Sequence, residues 1–125
     1  MTIEHANITV RDPKTVAAQL CDLFGWTVRW EGKALNNGYT VHVGDAGSYL
    51  ALYAPAGDLE NSTLESYQQN LGLNHIGVVV SDLGKVEEKV KAAGYLPHTH
   101  SDYEPGRRFY FDGPAGIEFE AVQYD

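Results

Sequence analysis

The chain contains one segment twice, and this repetition limits the folds open to it. Residues 3–12 read I-E-H-A-N-I-T-V-R-D and residues 73–82 read L-N-H-I-G-V-V-V-S-D, so a constant offset of 70 aligns them. That offset places His5 opposite His75. An internal repeat of this kind indicates two copies of one supersecondary unit packed side by side. We therefore expect the two histidines to occupy equivalent places in two similar modules.

Composition excludes several classes of function. The chain has 125 residues, 43% of them hydrophobic, which predicts one compact domain with a real core. A net charge of −8 disfavours nucleic acid and anionic membrane surfaces as partners. The sequence has no apolar run of membrane-spanning length and begins without the features of a signal peptide. Because Cys21 is its single cysteine, no intrachain disulfide can form, and we expect a cytoplasmic protein.

Each copy reads as one strand, one helix and three further strands. Hydrophobic periodicity, helix caps and glycine turns mark the elements. Module 1 covers about residues 1–54, a polar connector about 55–72, and module 2 about 73–125. The predicted strands are about 3–10, 26–31, 39–43, 48–53, 73–80, 95–101, 107–112 and 117–122, and the predicted helices about 12–24 and 83–93. This pattern predicts a single α+β domain of two tandem β-α-β-β-β modules. Its eight strands would form an open, cup-shaped sheet with the helices outside.

Strand alternation predicts a metal site inside the cup. The apolar residues of the first strand of each module must pack on the helix, so His5 and His75 point to the opposite face. In the last strand Phe119 takes the core side, and Glu118 and Glu120 therefore face the cup. Two histidines and one carboxylate suit a divalent ion such as Fe(II), Mn, Ni or Zn. Such a set leaves coordination positions open for a substrate.

These motifs, with the closing F-Y-F-D-G-P-A-G-I-E-F-E-A-V, resemble the vicinal oxygen chelate superfamily. That superfamily includes glyoxalase I, bleomycin-resistance proteins, extradiol dioxygenases and fosfomycin-resistance enzymes. The resemblance implies that the carboxylate ligand is Glu120 and that Glu118 is a flanking polar residue. Its implied metal ligands are thus His5, His75 and Glu120. The position of module 1 that matches Glu120 is Ala51, where glyoxalase I proteins usually supply a fourth ligand, so the remaining triad resembles the fosfomycin-resistance and extradiol-type branches.

Four further polar residues are candidates for roles at the site. Tyr110 and Arg108 alternate with phenylalanines and should face the cup. Tyr110 could donate a proton or a hydrogen bond to a substrate oxygen, and Arg108 could bind a carboxylate or phosphonate. His98 and His100 are expected on one face of their strand, where one of them, His100 in our assignment, would act as a general base. The alternatives are packing for the tyrosine and solvent exposure for the others, and the orientation of His42 stays open.

The leading functional hypothesis is a metal-dependent enzyme of the lyase or isomerase type. By family resemblance, it would act on a small substrate whose neighbouring oxygens bind the metal. One alternative is a metal-free protein that sequesters a small molecule, as bleomycin-resistance proteins do. Another is an Fe(II) extradiol-type dioxygenase. We also expect a homodimer, because paired modules of this family often dock across chains and Trp26 and Trp30 offer apolar surface.

Overall fold

A computed structural model describes residues 1–125 and contains the predicted β-α-β-β-β order twice. The chain divides into two compact units, Met1–Asn61 and Ser62–Asp125. Unit 1 contains β1 (His5–Thr9), α1 (Pro13–Phe24), β2 (Thr27–Lys33), β3 (Tyr39–Gly44) and β4 (Tyr49–Ala54). Unit 2 contains β5 (Ile76–Val79), α2 (Leu83–Ala92), β6 (His98–Tyr103), β7 (Gly106–Asp112) and β8 (Glu118–Tyr124). The α+β class and the two tandem modules are confirmed.

An aspartate side chain caps the N-terminus of each helix. The Asp12 side chain accepts hydrogen bonds from the Thr15 backbone N–H at 3.1 Å and the Thr15 hydroxyl at 2.7 Å. Asp82 caps α2 in the same way through the Lys85 N–H at 3.0 Å. Gly25 ends α1 with φ +70°, a left-handed conformation in which a side chain is strained. Neither helix has the length and apolar character needed to cross a bilayer.

Each unit has its own four-stranded sheet. The strand orders are β1-β4-β3-β2 and β5-β8-β7-β6, with the first strand of each unit parallel to the last. In unit 1, α1 packs on β3 and β4, and in unit 2, α2 packs on β8. Because successive side chains along a strand point to opposite faces, one set points toward the helix and forms the fully buried core. That core includes Leu20, Val41, Val43 and Leu52 in unit 1 and Val90, Phe109, Phe111 and Phe119 in unit 2. The other set occupies the helix-free face, where most of the candidate functional residues lie.

Candidate functional site

The helix-free face of unit 2 brings His75 and Glu120 together. His75 precedes β5, and Glu120 lies in β8, which pairs with β5. Their Nε2 and Oε2 atoms are 3.2 Å apart, and the side chains are 32% and 13% exposed. Two ligands at about 2.1 Å from one ion, roughly at right angles, are themselves about 3 Å apart. The pair therefore has the spacing of two ligands of one metal ion.

Glu118 lies at the opposite edge of the same imidazole. Its Oε1 is 3.6 Å from Nδ1 of His75. The hydroxyl of Tyr67 joins the two groups, donating to Glu118 Oε1 at 2.8 Å and lying 3.2 Å from Nδ1. Because Glu118 and Glu120 face different ring nitrogens, they cannot share one ion with His75. Glu118 is instead placed to orient the ring, as carboxylates near metal-bound histidines commonly do.

This network favours the tautomer of His75 that carries its hydrogen on Nδ1. Tyr67 has one hydroxyl hydrogen, and it is directed at Glu118. Nδ1 of His75 must then donate to the Tyr67 oxygen. The lone pair of Nε2 is left facing a carboxylate oxygen of Glu120. Only a proton or a metal cation between these two atoms makes their close approach favourable. Sequence reasoning missed Tyr67, since nothing marks one tyrosine in a polar connector.

Two neighbours fix the Glu120 carboxylate. Nη1 of Arg108 donates to Oε1 at 3.1 Å, and the Tyr110 hydroxyl donates to Oε2 at 3.0 Å. Arg108 is 14% exposed, lies under the ring of Tyr103, and has a buried Nε without a hydrogen-bond partner. Its charge is therefore compensated by Glu120 rather than directed at open solvent. Burial, followed by the hydrogen bond to Glu120, raises the pKa of Tyr110, which keeps the phenol protonated at neutral pH.

The expectation that His98 and His100 share a strand face is wrong. The pairing of β6 with β7 shifts register between His98 and Ser101, and Thr99 has φ +54°. This irregularity breaks the alternation, so the two histidines point to opposite faces. His98 stacks on Tyr110 with ring centroids 6.3 Å apart. His100 contacts Glu87 of α2 at 2.5 Å and stacks on the buried Phe109, so the structure does not bring it to the His75–Glu120 pair.

The helix-free face of unit 1 carries His5 at the end of a row of rings. His5 stacks on Tyr49 at 4.8 Å, Tyr49 on His42 at 4.6 Å, and Trp30 lies 5.3 Å from His42. Nδ1 of His5 is 2.9 Å from a carboxylate oxygen of Glu4, and the His5 side chain is 43% exposed. The orientation of His42, left open by the sequence, is toward this face. Burial lowers the pKa of His42, with a smaller contribution from the charge of His5.

An open cleft of about 610 Å³ lies on the same face, beside this row of rings. Strand pairing places Ala51 between Asn7 of β1 and His42 of β3. In unit 2 the equivalent strand pairing places Glu120 between Gly77 and Tyr110. The match of Ala51 with Glu120, expected from the sequence, therefore holds in the backbone pairing. The lining residues are His5, Asn7, Thr9, Ala34, Leu35, Asn36, Thr40, His42, Tyr49, Ala51 and Tyr53.

The predicted triad is divided between the two units. Unit 1 carries His5, and unit 2 carries His75 and Glu120. The structure contains no group of three or more His, Cys, Asp or Glu side chains placed to hold a metal ion. The complete ligand set therefore stays a prediction. The spacing and orientation of the two groups in unit 2 suit a divalent ion that takes nitrogen and oxygen ligands.

Comparison with known proteins agrees with this fold. Residues 4–111 match the family described as the Glyoxalase/Bleomycin resistance protein/Dioxygenase superfamily. The chain belongs to this superfamily, which confirms the resemblance drawn from the repeated motifs. No curated protein matches the sequence.

Solved structures share the fold at low sequence identity. A glyoxylase/bleomycin resistance protein/dioxygenase domain from Frankia sp. EAN1pec has a TM-score of 0.80 and 19% identity, covering 100% of this chain and 98% of that one. The fosfomycin resistance protein FosX from Listeria monocytogenes, complexed with Mn(II) and sulfate, has a TM-score of 0.70 and 17% identity, covering 99% and 93%. A glyoxalase I mutant from Zea mays has a TM-score of 0.76 and 15% identity, covering 96% and 45%.

Proposed function

We propose that this protein is a metal-dependent enzyme of the lyase or isomerase type, whose divalent ion is bound by His5, His75 and Glu120. The observation that carries the proposal is the 3.2 Å approach of His75 Nε2 to Glu120 Oε2, with both side chains fixed from behind. A solved relative by fold, FosX, is complexed with Mn(II). The bound ion would act as a Lewis acid on two neighbouring oxygens of a small substrate.

The chain's own residues then have separate roles. Glu118 and Tyr67 orient the His75 ring, and Arg108 and Tyr110 orient the Glu120 carboxylate. Tyr110 keeps its proton at neutral pH and donates it to Glu120 Oε2, so it could stabilise charge on a substrate oxygen only by turning its hydroxyl hydrogen away from that carboxylate. The position of Arg108 changes its expected role. Because Glu120 already accepts its hydrogen bond, Arg108 supports the ligand carboxylate more directly than it binds substrate.

His5 completes the ligand set either from the same chain or from a second copy in a homodimer. A mixing experiment separates the two arrangements. His5→Ala and Glu120→Gln each inactivate their own sites. If the ligands come from two chains, a heterodimer of the two variants regains one intact site, so mixing restores part of the activity and metal binding. If all ligands come from one chain, mixing restores nothing. Sedimentation gives the oligomeric state, and a monomer at micromolar concentration contradicts the homodimer.

The metal site is tested by titration of the purified chain. Metal content is measured after purification without a chelator, and Mn(II), Fe(II), Ni(II) and Zn(II) are then titrated calorimetrically. We expect one ion per chain in the wild type and loss of binding in His75→Gln. His98→Gln is the matched control, since His98 stacks on Tyr110 and its Nδ1 pairs with the hydroxyl of Thr99. Equal metal affinity in all three proteins would refute the proposal.

Turnover on a panel then separates reaction types. Hemithioacetals of 2-oxoaldehydes, epoxides and catechols represent the glyoxalase, epoxide-opening and dioxygenase chemistries. Ala51→Glu restores a carboxylate at the position equivalent to Glu120. If the wild type already isomerises hemithioacetals at full metal occupancy, Ala51 does not argue against glyoxalase I activity.

A metal-free binding protein is the second candidate function, and the open cleft in unit 1 favours it. The two candidates differ in what removal of metal does. Ligand binding that is unaffected by chelator, together with no turnover on any substrate, would favour the binding protein. The single cysteine fits a reducing compartment, and we propose a cytoplasmic location for either function.

A further inference from the structure

The imidazole of His5 is held at its Nδ1 edge by two neighbours. Nδ1 lies 2.9 Å from Glu4 Oε1, and the hydroxyl of Tyr49 donates to that same oxygen at 3.3 Å. Tyr49 also stacks on the His5 ring, and its backbone N–H donates to the carbonyl of Glu4 at 3.1 Å. The backbone and the side chain of Glu4 are thus both attached to β4 beside the imidazole.

These contacts determine where the hydrogen of a neutral His5 lies. Glutamate is ionised at neutral pH, and a carboxylate only accepts hydrogen bonds, so Nδ1 of His5 must be the donor. A neutral imidazole has one N–H, and Nε2 therefore keeps a lone pair. No hydrogen bond or ion pair of the chain occupies Nε2, and the His5 side chain is 43% exposed. His5 is thus left with one unoccupied ligand nitrogen.

His75 has the same two kinds of group at its Nδ1 edge, but they come from different positions. Its carboxylate, Glu118, lies on β8, and its tyrosine, Tyr67, lies in the connector. The offset of 70 relates Glu4 to Asn74, so the two carboxylates are not copies of one residue. Because duplication of a module copies a group to its equivalent position, the repeat alone does not explain this likeness. It points to a requirement that both histidine rings share, which is a hydrogen on Nδ1.

A weak contact is sufficient for this purpose. The carboxylate of Glu4 is 61% exposed, and an exposed pair of this kind adds little to the stability of the fold. The hydrogen bond made by one ring nitrogen nevertheless sets which tautomer a histidine adopts, because the two neutral forms are close in energy. The contact is therefore better suited to orienting His5 than to stabilising the chain.

We propose that Glu4, held in place by Tyr49, is a positioning residue that keeps His5 in the Nδ1–H tautomer with the Nε2 lone pair free. The use of that lone pair as a metal ligand rests on the function proposed above. The tautomer does not, since it is set by residues of unit 1 in the metal-free chain. Its measurement distinguishes failure of this proposal from failure of the metal site.

Nitrogen NMR of the isotope-labelled full chain, with chelator present, measures the tautomer directly. At about pH 8 histidine is neutral, and the shifts of its two ring nitrogens report the ratio of the two forms. The signals that His5→Ala removes are those of His5. We expect the Nδ1–H form to predominate in the wild type. An Nε2–H ring in the wild type overturns the proposal, whatever the Mn(II) titration shows.

Variants of Glu4 test the cause of this preference. Glu4→Ala should raise the ratio of the Nε2–H to the Nδ1–H form of His5 roughly 3- to 10-fold, the effect of one hydrogen bond. Glu4→Gln keeps an acceptor oxygen and should retain most of the preference. Glu60→Ala removes the same charge from an exposed position of unit 1 and should leave the ratio unchanged. A ratio that Glu4→Ala does not alter, or that Glu60→Ala alters equally, contradicts the assignment.

Tyr49→Phe keeps the stacked ring and removes the hydroxyl, so it should change the ratio in the same direction as Glu4→Ala and by less. A wild-type ratio in this variant overturns the part assigned to Tyr49. Calorimetric titration then tests the link to the metal. Glu4→Ala should weaken Mn(II) binding about tenfold, and Glu60→Ala by less than about threefold. Wild-type Mn(II) affinity in Glu4→Ala would show that the orientation of His5 does not serve metal binding.

Discussion

Ala51 in the first module and Glu120 in the second occupy the same place in their sheets, and their surroundings differ in kind. Asn7 pairs with Ala51 and Gly77 with Glu120, and the offset of 70 that aligns the two repeats relates Asn7 to Gly77. Around Glu120 the side chains are charged or strongly polar and bind one another. Around Ala51 they are rings and uncharged polar groups that leave a cleft of about 610 Å³.

The difference extends to the positions beside these two. Strand pairing makes His42 the counterpart of Tyr110 and Thr40 the counterpart of Arg108. Arg108 has a charged partner, and Thr40 has no hydrogen-bond partner. A partly buried charge must be paired, so the face of module 2 is fixed by its own ion pair and hydrogen bonds. The face of module 1 has no such network around Ala51, and it can accept a ligand.

One backbone framework can therefore support two tasks. Under the proposed function, the second module would supply oriented ligands and a hydrogen-bond donor, which is what chemistry at a metal ion needs. The first module would supply one histidine and the cleft beside it. Exchange of residues between equivalent positions is accordingly the sharpest way to test this division.

The largest expected effect follows substitution at the central position of module 2. Glu120→Gln removes the charged oxygen ligand and should weaken Mn(II) binding more than about 100-fold, because even changes behind a ligand cost about 10- to 100-fold. It should also lower the melting temperature, since Arg108 loses its counter-charge. Calorimetric titration and thermal melting measure the two effects.

Ala51→Gln places the same amide at the equivalent position of module 1 and is the control. It should change Mn(II) affinity by less than about threefold, since Ala51 has no group that can bind a metal. If the two glutamine variants weaken Mn(II) binding equally, the two faces do not have different roles.

A smaller effect is expected from Tyr110→Phe. The pKa of this tyrosine is raised by burial and by its bond to Glu120, so the phenol is a hydrogen-bond donor throughout the neutral pH range. Its loss should lower kcat by roughly 10- to 100-fold at saturating Mn(II), and it should weaken Mn(II) binding about tenfold because Tyr110 also orients Glu120. Steady-state kinetics at saturating Mn(II) gives kcat. A variant with the wild-type kcat at saturation would show that Tyr110 acts only by holding Glu120.

Glu118→Gln and Tyr67→Phe test whether these two side chains orient the His75 ring through its Nδ1 edge. Each should weaken Mn(II) binding about tenfold, which is the lower end for groups that orient a metal ligand. Because both changes break one hydrogen-bond network, the double variant should be little weaker than either single variant. Additive losses would mean that the two residues act independently of each other. Affinity as low as that of Glu120→Gln would make Glu118 a direct ligand.

Local signals in the sequence account for most of the fold. The helix signals, the apolar periodicity of the helices and the alternation of β8 depend on residues close in the chain. They predicted the β-α-β-β-β order, confirmed in the structure, and the common face of Glu118 and Glu120. The family resemblance also predicted the match between Ala51 and Glu120, and the strand pairing reproduces it.

Features set by packing at a distance could not be read in the same way. Strict alternation predicted one face for His98 and His100, and the shifted register at Thr99 separates them. Tyr67 comes from the connector, and its contact with Glu118 spans residues far apart in the chain. Whether His5 joins His75 and Glu120 depends on how units or chains associate, which no local pattern specifies. These three features determine which residues the candidate site contains.

The smallest expected effect concerns His42 and the pH dependence of stability. Burial lowers the pKa of His42 in the folded chain, the positive charges of His5 and Arg29 lower it further, and Glu4 opposes them. Above its ordinary pKa of about 6.5, His42 is neutral in both states and contributes nothing to this dependence. As the pH falls below that value, the unfolded chain takes up the proton more readily, so stability is lost.

His42→Gln removes this contribution to the pH dependence, while the other titrating groups remain. Its melting temperature should therefore fall less than that of the wild type between pH 7.5 and pH 5. The difference should be about 1–2 °C, as roughly a few tenths of a kcal/mol would give in a chain of this size. Parallel melting curves over that range would show that His42 is solvated as freely in the folded chain as in the unfolded one.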